Sequence, residues 1–492
     1  MSQISVSDMS FYYDGSYEDI FSHVSFQIDT DWKLGFVGRN GRGKTTFFKL
    51  LMDEYEYTGS ISTPVTFEYF PYQIEDKKQS GVDIIEAIDP GYEFWKVCRE
   101  LNLLEVDPGI LYRPFDTLSN GEQTKVMLGV LFAKENAFLL IDEPANHLDI
   151  LGRETVMQYL KKKKGFILVS HDRRFLDGCV DHILAINKMN IEVIQGDFSS
   201  WRAQKQRQDA HEHAENEKLK KEVFRLTKSA QQAGNWSDQA EGSKFHTRVA
   251  GLRVDRGFMG HKSAKIMKRS SAAEKRAQTA LEDKKNLLKN IETADQLKLF
   301  PLRHHKEILA QLEDVALSYG ENEVCSNISF TVRQGECIAL QGKNGCGKSS
   351  ILKLIMGEQI AYSGVVELAG GLKISHVPQD TSHLKGGLQD WIHACGADER
   401  LFKALLRKLD FERSHFEKPL ESYSDGQKKK VLIAGSLCEQ AHLYIWDEPL
   451  NFIDIFSRMQ IEELIKEFKP TILLVEHDRA FIEEIGARPI DI

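Results

Sequence analysis

Gly38-Arg-Asn-Gly-Arg-Gly-Lys44-Thr45 follows directly on the apolar run Trp32–Val37, and Gly342-Lys-Asn-Gly-Cys-Gly-Lys348-Ser349 follows Glu336–Leu340 in the same way. A strand that leads through such a glycine loop into a helix is typical of phosphate binding. The glycines let backbone N–H groups close on the phosphates at a helix N-terminus. The two stretches therefore predict two nucleotide-binding domains.

The repeat extends well beyond the glycine loops. Further polar residues follow in the same order in each half of the chain: Gln73, Ser119, Asp142, Glu143 and His171 in the first, and Gln379, Ser424, Asp447, Glu448 and His477 in the second. The two members of each pair stand 305 or 306 residues apart, as direct subtraction of their numbers shows. A single glycine loop can arise by chance, whereas an ordered set of residues at a fixed spacing does not. The pattern indicates a duplicated nucleotide-hydrolysing protein.

The composition limits the classes of protein to which the chain can belong. With 492 residues, 41% of them hydrophobic and 28% charged, the chain has the composition of a soluble globular protein with two or three domains. No stretch approaches the roughly 18–20 apolar residues of a membrane-spanning helix, so we expect no membrane partner. The seven cysteines form no Cys-x-x-Cys pair, which favours reduced thiols and a cytoplasmic location.

Three regions are predicted along the chain. Residues 1–196 and 307–492 are each expected to form an α/β domain, because Phe138–Ile141 and Leu443–Trp446 are unbroken apolar runs typical of a parallel sheet buried on both faces. Residues 197–306 between them contain helical apolar spacing on both sides of a glycine-bearing stretch near 242–260. This middle region is predicted to be a long antiparallel helical hairpin.

Charge is distributed unevenly. Residues 201–300 carry 22 Lys and Arg against 13 Asp and Glu, although the whole chain has a net charge of −9. A basic segment suggests a polyanionic partner, because basic side chains neutralise phosphates while exposed apolar groups stack on unpaired bases. The alternatives are a solvated linker and apolar residues that merely close the hairpin's own tip. The candidate RNA contacts are Lys244, Phe245, Arg248, Arg253, Arg256, Phe258, Met259, Lys262 and Lys265.

The repeated residues suggest specific roles at a nucleotide. Lys44 and Lys348 are expected to reach the β- and γ-phosphates of ATP. Mg²⁺ is expected between a hydroxyl and a carboxylate at each site, namely Thr45 with Asp142 and Ser349 with Asp447. Glu143 and Glu448 are expected to orient the attacking water. The backbone and flanking members of the phosphate loops are Gly38, Asn40, Gly41, Gly43 and Thr46 in the first half, and Gly342, Asn344, Gly345, Gly347 and Ser350 in the second.

Further motifs resemble the ATP-binding cassette superfamily. These are the signatures Leu118-Ser-Asn-Gly-Glu-Gln123 and Tyr423-Ser-Asp-Gly-Gln427, the D-loops Asn146-His-Leu-Asp149 and Asn451-Phe-Ile-Asp454, the Q-loop glutamines Gln73 and Gln379, and the switch histidines His171 and His477. The resemblance implies an α/β fold of two tandem cassettes that pack head to tail within one monomer. It also implies that Ser424 and Gly426 cap the ATP held by Lys44, and that Ser119 and Gly121 cap the ATP held by Lys348.

Two details qualify this resemblance. Tyr13 and Tyr319 stand where the family stacks an aromatic ring on adenine, although a tyrosine on a strand also serves simple packing. Asn120 and Asp425 replace the usual third-position glycine of the signature, and Asp425 would be unfavourable beside a triphosphate. The two ATP sites are therefore expected to be unequal, while both glutamates are present for hydrolysis.

The whole chain resembles the ABC-F family of translation ATPases, which fuse two cassettes through a charged helical linker. Its stretches Trp32–Lys44 and Asp255–Lys265 look like the Lsa-like branch that protects ribosomes from lincosamides, streptogramin A and pleuromutilins. The resemblance implies binding at the ribosomal tRNA exit site, with the linker tip near large-subunit rRNA and the P-site tRNA. A housekeeping translation factor acting on stalled or initiating ribosomes is the alternative, and a transporter's energy module is a further one.

Overall fold

A computed structural model describes residues 2–13, 19–146, 148–187, 190–208, 210–211, 214, 218, 221, 301–320, 322–343, 345–409, 411 and 413–492. One compact unit comprises Met1–Trp201 and Asp295–Ile492, and the other comprises Arg202–Ala294. In the second unit the described residues are helical. The predicted hairpin tip and the candidate RNA contacts from Lys244 to Lys265 lie outside the described residues.

The first α/β domain has its strands in two sheets. The strands are β1 (Gln3–Phe11), β2 (Phe21–Asp29), β3 (Lys33–Val37), β4 (Thr58–Ser62), β5 (Thr66–Phe70), β6 (Ala137–Asp142), β7 (Phe166–Val169), β8 (His182–Asn187) and β9 (Asn190–Gln195). The larger sheet has the order β5-β6-β7-β3-β8-β9 and is parallel except for β9, while β2-β1-β4 form a smaller antiparallel sheet. The helices are α1 (Lys44–Leu51), α2 (Gly81–Ile88), α3 (Phe94–Leu103), α4 (Asn120–Ala133), α5 (Ile150–Lys161) and α6 (Arg173–Cys179).

The second α/β domain repeats this scheme. Its strands are β10 (Ile308–Tyr319), β11 (Asn322–Arg333), β12 (Cys337–Gln341), β13 (Ala361–Leu368), β14 (Ile374–Val377), β15 (Leu443–Asp447), β16 (Ile472–Val475) and β17 (Arg488–Asp491). The parallel sheet has the order β14-β15-β16-β12-β17, and β11-β10-β13 form the antiparallel sheet. The helices are α7 (Lys348–Ile355), α8 (Leu388–Ala394), α9 (Glu399–Lys408), α10 (Asp425–Cys438), α11 (Ile455–Phe468) and α12 (Arg479–Glu484).

The functional residues lie at the carboxyl ends of central parallel strands. β3 and β12 lead into the glycine loops, and β6 and β15 end at Asp142 and Asp447. Each glycine loop passes into its helix at a left-handed residue, Gly43 with φ of 92° and Gly347 with φ of 96°. A side chain is disfavoured in that conformation, which accounts for glycine at this position.

The two signature motifs lie where helices begin. Ser119 and Ser424 are the N-caps of α4 and α10, and each forms a capping box with the residue three positions on, Glu122 or Gln427. This reciprocal arrangement satisfies backbone N–H groups that the first helical turn leaves unpaired. The caps therefore fix where each signature helix begins and hold the serine at its tip.

Part of the first domain's core is completed by the second domain. Phe198 and Trp201 are buried with Ile455, the first residue of α11, and Phe456 packs against the same cluster. The Trp201 and Phe456 ring centroids are 6.0 Å apart. The start of α11 is thus held against the residues that end the first α/β domain.

Packing of the first phosphate-loop helix gives a stability prediction. Phe47 on α1 is fully buried, and its ring lies 5.3 Å from Phe36 and 6.0 Å from Phe21, between centroids. Phe47→Ala is expected to lower the free energy of unfolding by about 3–5 kcal/mol, because it removes buried contacts and leaves a cavity. Denaturant unfolding followed by fluorescence measures this loss. Phe47→Leu, which keeps most of the volume, should lose much less, and equal losses for the two variants would contradict the packing argument.

Candidate functional site

The lysines of both glycine loops bind carbonyls of their own loop. Lys44 Nζ lies 2.7 Å from Gly38 O and 3.2 Å from Arg39 O. Lys348 Nζ lies 3.0 Å from Gly342 O and 2.8 Å from Lys343 O. Burial lowers the pKa of Lys44, while the carboxylates of Asp454, Glu143 and Asp142 oppose that shift. The two loops therefore present an ammonium group at the same place, and we call the surroundings the Lys44 site and the Lys348 site.

Each site pairs a hydroxyl with an aspartate, as the sequence predicts. Thr45 Oγ1 donates to Asp142 Oδ2 at 3.2 Å, and a hydrogen bond from Ser349 lowers the pKa of Asp447 against the larger effect of burial. Asp447 Oδ1 is buried and has no hydrogen-bond partner in the described part of the chain. Hydroxyl and carboxylate oxygens are ligands that Mg²⁺ prefers. The residues present at both sites therefore fit a magnesium ion.

Glu143 lies against the switch histidine of its own domain. Its Oε2 accepts a hydrogen bond of 3.2 Å from His171 N, and its Oε1 lies 3.2 Å from His171 Nε2. Burial and the neighbouring Asp142 raise the pKa of Glu143 to about 7. Burial also lowers the pKa of His171 well below its usual value, helped by the charges of Lys44 and Arg458. A neutral imidazole therefore stands beside the glutamate.

Glu448 is held differently in the Lys348 site. Its Oε2 accepts hydrogen bonds of 2.7 Å from both Gln379 Nε2 and Asn451 Nδ2. His477 Nε2 lies 3.8 Å from Glu448 Oε1, which is too long for a hydrogen bond. Burial raises the pKa of Glu448, but His477 and the two amides outweigh it and hold the pKa below its usual value.

The two Q-loop glutamines differ accordingly. Both are exposed, but Gln379 donates to the carboxylate of Glu448, whereas no hydrogen bond joins Gln73 to Glu143 among the described residues. The structure thus brings one predicted glutamine to the glutamate of its site and not the other. This is one physical difference between the two sites.

The two predicted adenine-stacking tyrosines occupy matching positions. Tyr13 Oη lies 2.6 Å from Thr46 Oγ1, and Tyr319 Oη donates to Ser350 Oγ at 3.2 Å. Both rings are exposed, at 40% and 49% of their surface. An exposed ring tethered beside the phosphate-loop helix suits stacking on a base, and the Tyr13 ring also packs against Phe11 at 5.1 Å between centroids.

Residues of the second domain complete the Lys44 site. Asn40 Nδ2 in the first glycine loop donates a hydrogen bond of 2.8 Å to Phe452 O in the second D-loop. A Cβ atom at Gly426 would lie 3.3 Å from Asn40 Nδ2 and 2.3 Å from Phe452 O. The absence of a side chain at Gly426 therefore allows the second signature to approach the first phosphate loop, in the pairing that the sequence predicts.

The reciprocal elements surround a cavity. Ser119 and Gly121 of the first signature, Asp149 of the first D-loop and Lys343 of the second phosphate loop line a cavity of about 480 Å³. Asn344, the counterpart of Asn40, lies outside the described residues. The first signature and the second phosphate loop thus share one cavity, as the head-to-tail arrangement requires.

Two arginines that the motif analysis missed tie each D-loop to a switch loop. Arg458 donates to Ile453 O and Leu450 O at 2.9 Å each, and to Asp478 Oδ2 at 2.8 Å. Arg153 makes the equivalent bonds to Leu148 O and Asp172 Oδ2, both at 3.1 Å. They stand four residues after the D-loop aspartates, 305 residues apart, so the repeat contained a signal for them.

The interface between the two domains is unequal in its ion pairs. Arg173, two residues after His171, forms a buried two-pronged contact with Glu462 of α11, and its Nη1 lies 3.2 Å from Glu462 Oε2. The corresponding Arg479 is partly exposed and lies 3.9 Å from Glu154 Oε2. The buried pair belongs to the half of the interface that contains the Lys44 site.

A family model described as "ABC transporter" matches residues 21–146 and 325–451, which together make up just over half of the chain. The chain belongs to the ATP-binding cassette family. It is an ATPase of that type, with two cassettes in one polypeptide. In the part of the chain that the structure describes, no helix has the length and apolar character needed to cross a membrane.

Two proteins of similar sequence and one solved structure of similar fold bear on where the chain belongs within that family. Ribosome protection protein VmlR of Bacillus subtilis (strain 168) is 28% identical over 482 residues, which cover 95% of this chain and 83% of that protein. ATP-binding protein Uup of Buchnera aphidicola subsp. Acyrthosiphon pisum (strain APS) is 24% identical over 499 residues, covering 95% of this chain and 77% of that protein.

The solved structure is that of archaeal ribosome recycling factor aABCE1 in complex with ribosomal stalk protein aP1. It has a TM-score of 0.63 at 17% identity and covers 98% of this chain and 87% of that chain. This likeness confirms the predicted fold class of tandem cassettes. The two sequence relatives support the ABC-F assignment that the motifs indicate.

The buried ion pair between the cassettes gives a second stability prediction. Arg173→Met leaves the Glu462 carboxylate buried and unpaired, so the free energy of unfolding should fall by about 3–5 kcal/mol. Arg173→Met with Glu462→Leu removes both charges and should recover most of that loss. Thermal unfolding of the full chain measures both effects.

The matched control is the exposed pair on the other half of the interface. Arg479→Gln and Glu154→Gln should each change stability by about 0.5 kcal/mol or less, because exposed ion pairs contribute little. A loss in these variants as large as that of Arg173→Met would contradict the unequal interface.

Proposed function

We propose that the chain is an ABC-F ATPase that binds the ribosome in the cytoplasm and protects it from antibiotics that act at the peptidyl transferase region. The proposed drug classes are lincosamides, streptogramin A and pleuromutilins. The contact of Asn40 with Phe452 and Gly426 carries the ATPase part of this proposal, because it makes the proposed ATP site depend on how the two cassettes are arranged. The similarity to a ribosome protection protein over nearly the whole chain supports the choice of the ribosome as the partner.

ATP is proposed to hold the two cassettes together. Its phosphates would lie between Lys44 and the helix N-terminus capped by Ser424 in one site, and between Lys348 and the helix N-terminus capped by Ser119 in the other. Helix N-termini favour anions because their N–H groups are unpaired and the helix dipole is positive there. A triphosphate therefore attracts both cassettes at once, and its hydrolysis removes that attraction.

The hydrolytic roles are assigned to residues that meet at the ends of the central strands. Glu143 and Glu448 are proposed to accept a proton from the attacking water, and His171 and His477 to position it. Thr45 with Asp142, and Ser349 with Asp447, would hold Mg²⁺, which neutralises phosphate charge when bound. The different contacts of Glu143 and Glu448 support unequal rates at the two sites.

The effector is proposed to be the basic linker between the cassettes. Ten Lys and Arg against three acidic residues between positions 241 and 276 suit contact with large-subunit rRNA and the P-site tRNA. In the proposed cycle the ATP-bound chain enters the tRNA exit site, and the linker shifts tRNA and rRNA so that the drug leaves. These residues lie outside the described part of the chain, so the support comes from sequence and relatives.

A housekeeping translation factor of the same subfamily is the second candidate. It would use the same ATP-site residues, and ATP-binding protein Uup matches as much of this chain, 95%, as the ribosome protection protein does. Expression in a drug-sensitive host separates the two. A raised inhibitory concentration of a lincosamide supports protection, and an unchanged one supports the housekeeping role.

The first prediction from this proposal concerns a trapped complex. Glu143→Gln with Glu448→Gln should keep ATP binding but lose hydrolysis by on the order of a hundredfold or more, because the proton acceptors are gone. The double variant should then sediment with ribosomes in ATP and not in ADP. Lys44→Ala with Lys348→Ala is the matched control and should sediment in neither. Normal ATP turnover by the glutamine variant would remove the assigned roles.

The second prediction concerns the linker. Deletion of residues 249–259 should abolish drug protection while ATP hydrolysis by the isolated protein stays within about twofold of the parent, because the cassettes and their interface are intact. Inhibitory concentrations and phosphate release measure the two properties. Protection that survives the deletion would show that the tip is not the effector.

A further inference from the structure

Trp95 is an exposed tryptophan held in a fixed orientation on the first cassette. It lies on α3 with 58% of its surface exposed, and its indole Nε1 donates to Glu93 Oε2 at 2.7 Å. Large apolar side chains that are exposed next to one another mark interaction surfaces, whereas singly exposed ones do not. Phe94 beside it is also exposed, at 37%.

Two cationic side chains lie over the Trp95 ring. Arg99 Cζ lies 5.5 Å and Lys96 Nζ 5.7 Å from the ring centroid. Lys96 is paired with Glu93 and Glu135, while Arg99 is half exposed and its Nη2 contacts the buried carboxylate of Glu100 at 3.0 Å. An aromatic ring with two cations over it presents a flat apolar surface and positive charge together, which suits a partner that is both flat and negatively charged.

A run of four lysines continues this surface. Lys163 contacts the same Glu100 carboxylate that Arg99 contacts, so residues 161–164 adjoin the Trp95 region. The side chains of Lys161, Lys162 and Lys164 are exposed and have no acidic partner among the described residues. Three exposed lysines thus lie in the segment that reaches Glu100, the residue that Arg99 also contacts, and we call the whole set of residues 94–99 and 161–164 the Trp95 surface.

The second cassette provides an internal comparison, because α9 stands 305 residues after α3. At the corresponding positions it has Arg400 in place of Trp95, and 466–469 read Lys-Glu-Phe-Lys in place of four lysines. Its Lys466 is paired with Glu484 at 2.8 Å. A lysine in the last turn of α5 interacts favourably with the helix dipole. The last turn of α11 has one lysine, so the dipole does not require a run of four. The cassette fold therefore does not require the Trp95 surface.

We infer that the Trp95 surface is a second nucleic-acid contact of the chain, which binds unpaired RNA by stacking a base on Trp95 and neutralising phosphates with Lys161, Lys162 and Lys164. The inference rests on the proposed function in taking RNA as the polyanion, and it adds a contact outside the linker. Every base has a flat face, so such a surface binds single strands without reading their sequence. Exposed bases of a structured RNA are thus the expected partner.

Cross-linking tests the location of the contact. The full-length protein, without nucleotide, is irradiated with a short single-stranded RNA of mixed sequence, and the cross-linked peptides are identified by mass spectrometry. A cross-link at Trp95 is the expected result. Cross-links confined to residues 241–276 would support the linker contact of the proposed function and overturn the second one. No cross-link anywhere would overturn the inference and leave the ATP-dependent ribosome test to decide the proposed function.

Binding measurements then test the chemistry. Trp95→Ala should weaken RNA binding about fivefold or more, and Trp95→Phe should retain most of the affinity. Replacement of Lys161, Lys162 and Lys164 by Ala should make the slope of log affinity against log salt shallower by about 2. The controls are Arg400→Ala and Lys466→Ala with Lys469→Ala, which should leave affinity unchanged. Unaltered affinity and slope in the first-cassette variants would overturn the inference, with unchanged ATP hydrolysis confirming that they are folded.

Discussion

The contact between Asn40, Gly426 and the Phe452 carbonyl is the constraint on which the rest of the structure depends. A triphosphate carries more charge than one glycine loop and one lysine neutralise, so further donors have to come from elsewhere. Under the proposed function they would come from a helix N-terminus of the other cassette. Glycine is required at position 426 because its hydrogen leaves room for the neighbouring Phe452 carbonyl. ATP hydrolysis would then require the two cassettes to be in contact.

The duplicated halves have diverged in how they meet this constraint. Around Lys44 the cassettes are joined by a buried arginine–glutamate pair, and the glutamate of the site lies beside a histidine whose pKa is lowered by burial. Around Lys348 the glutamate is bound by two amides of its own cassette, and the facing signature borders a cavity. The two halves of the interface are therefore physically unequal: the half at Lys44 holds a buried ion pair, and the half at Lys348 borders a cavity.

Sequence alone predicted the fold class and the central strands to within one residue at either end. Those predictions rest on local physics, namely glycine loops that follow strands buried on both faces. The signature, Q-loop and histidine residues were assigned through the family resemblance. The sequence did not predict that Gln379 bonds to its glutamate while Gln73 does not, because a repeated motif carries no distances. The Arg173–Glu462 pair was also missed, since a buried ion pair between distant segments has no periodic pattern. Arg458 was missed although it recurs with Arg153 at the spacing of the repeat.

The packing of Trp201 and Phe198 against Ile455 and Phe456 has a consequence for how the protein is made. The first cassette leaves the translating ribosome with this part of its core exposed. It remains so until residue 455 has been synthesised, 254 positions after residue 201, which takes about 13–50 s at typical elongation rates. During that interval the nascent chain presents aromatic surface to chaperones and to neighbouring nascent chains, and synonymous codons between the cassettes set how long that exposure lasts.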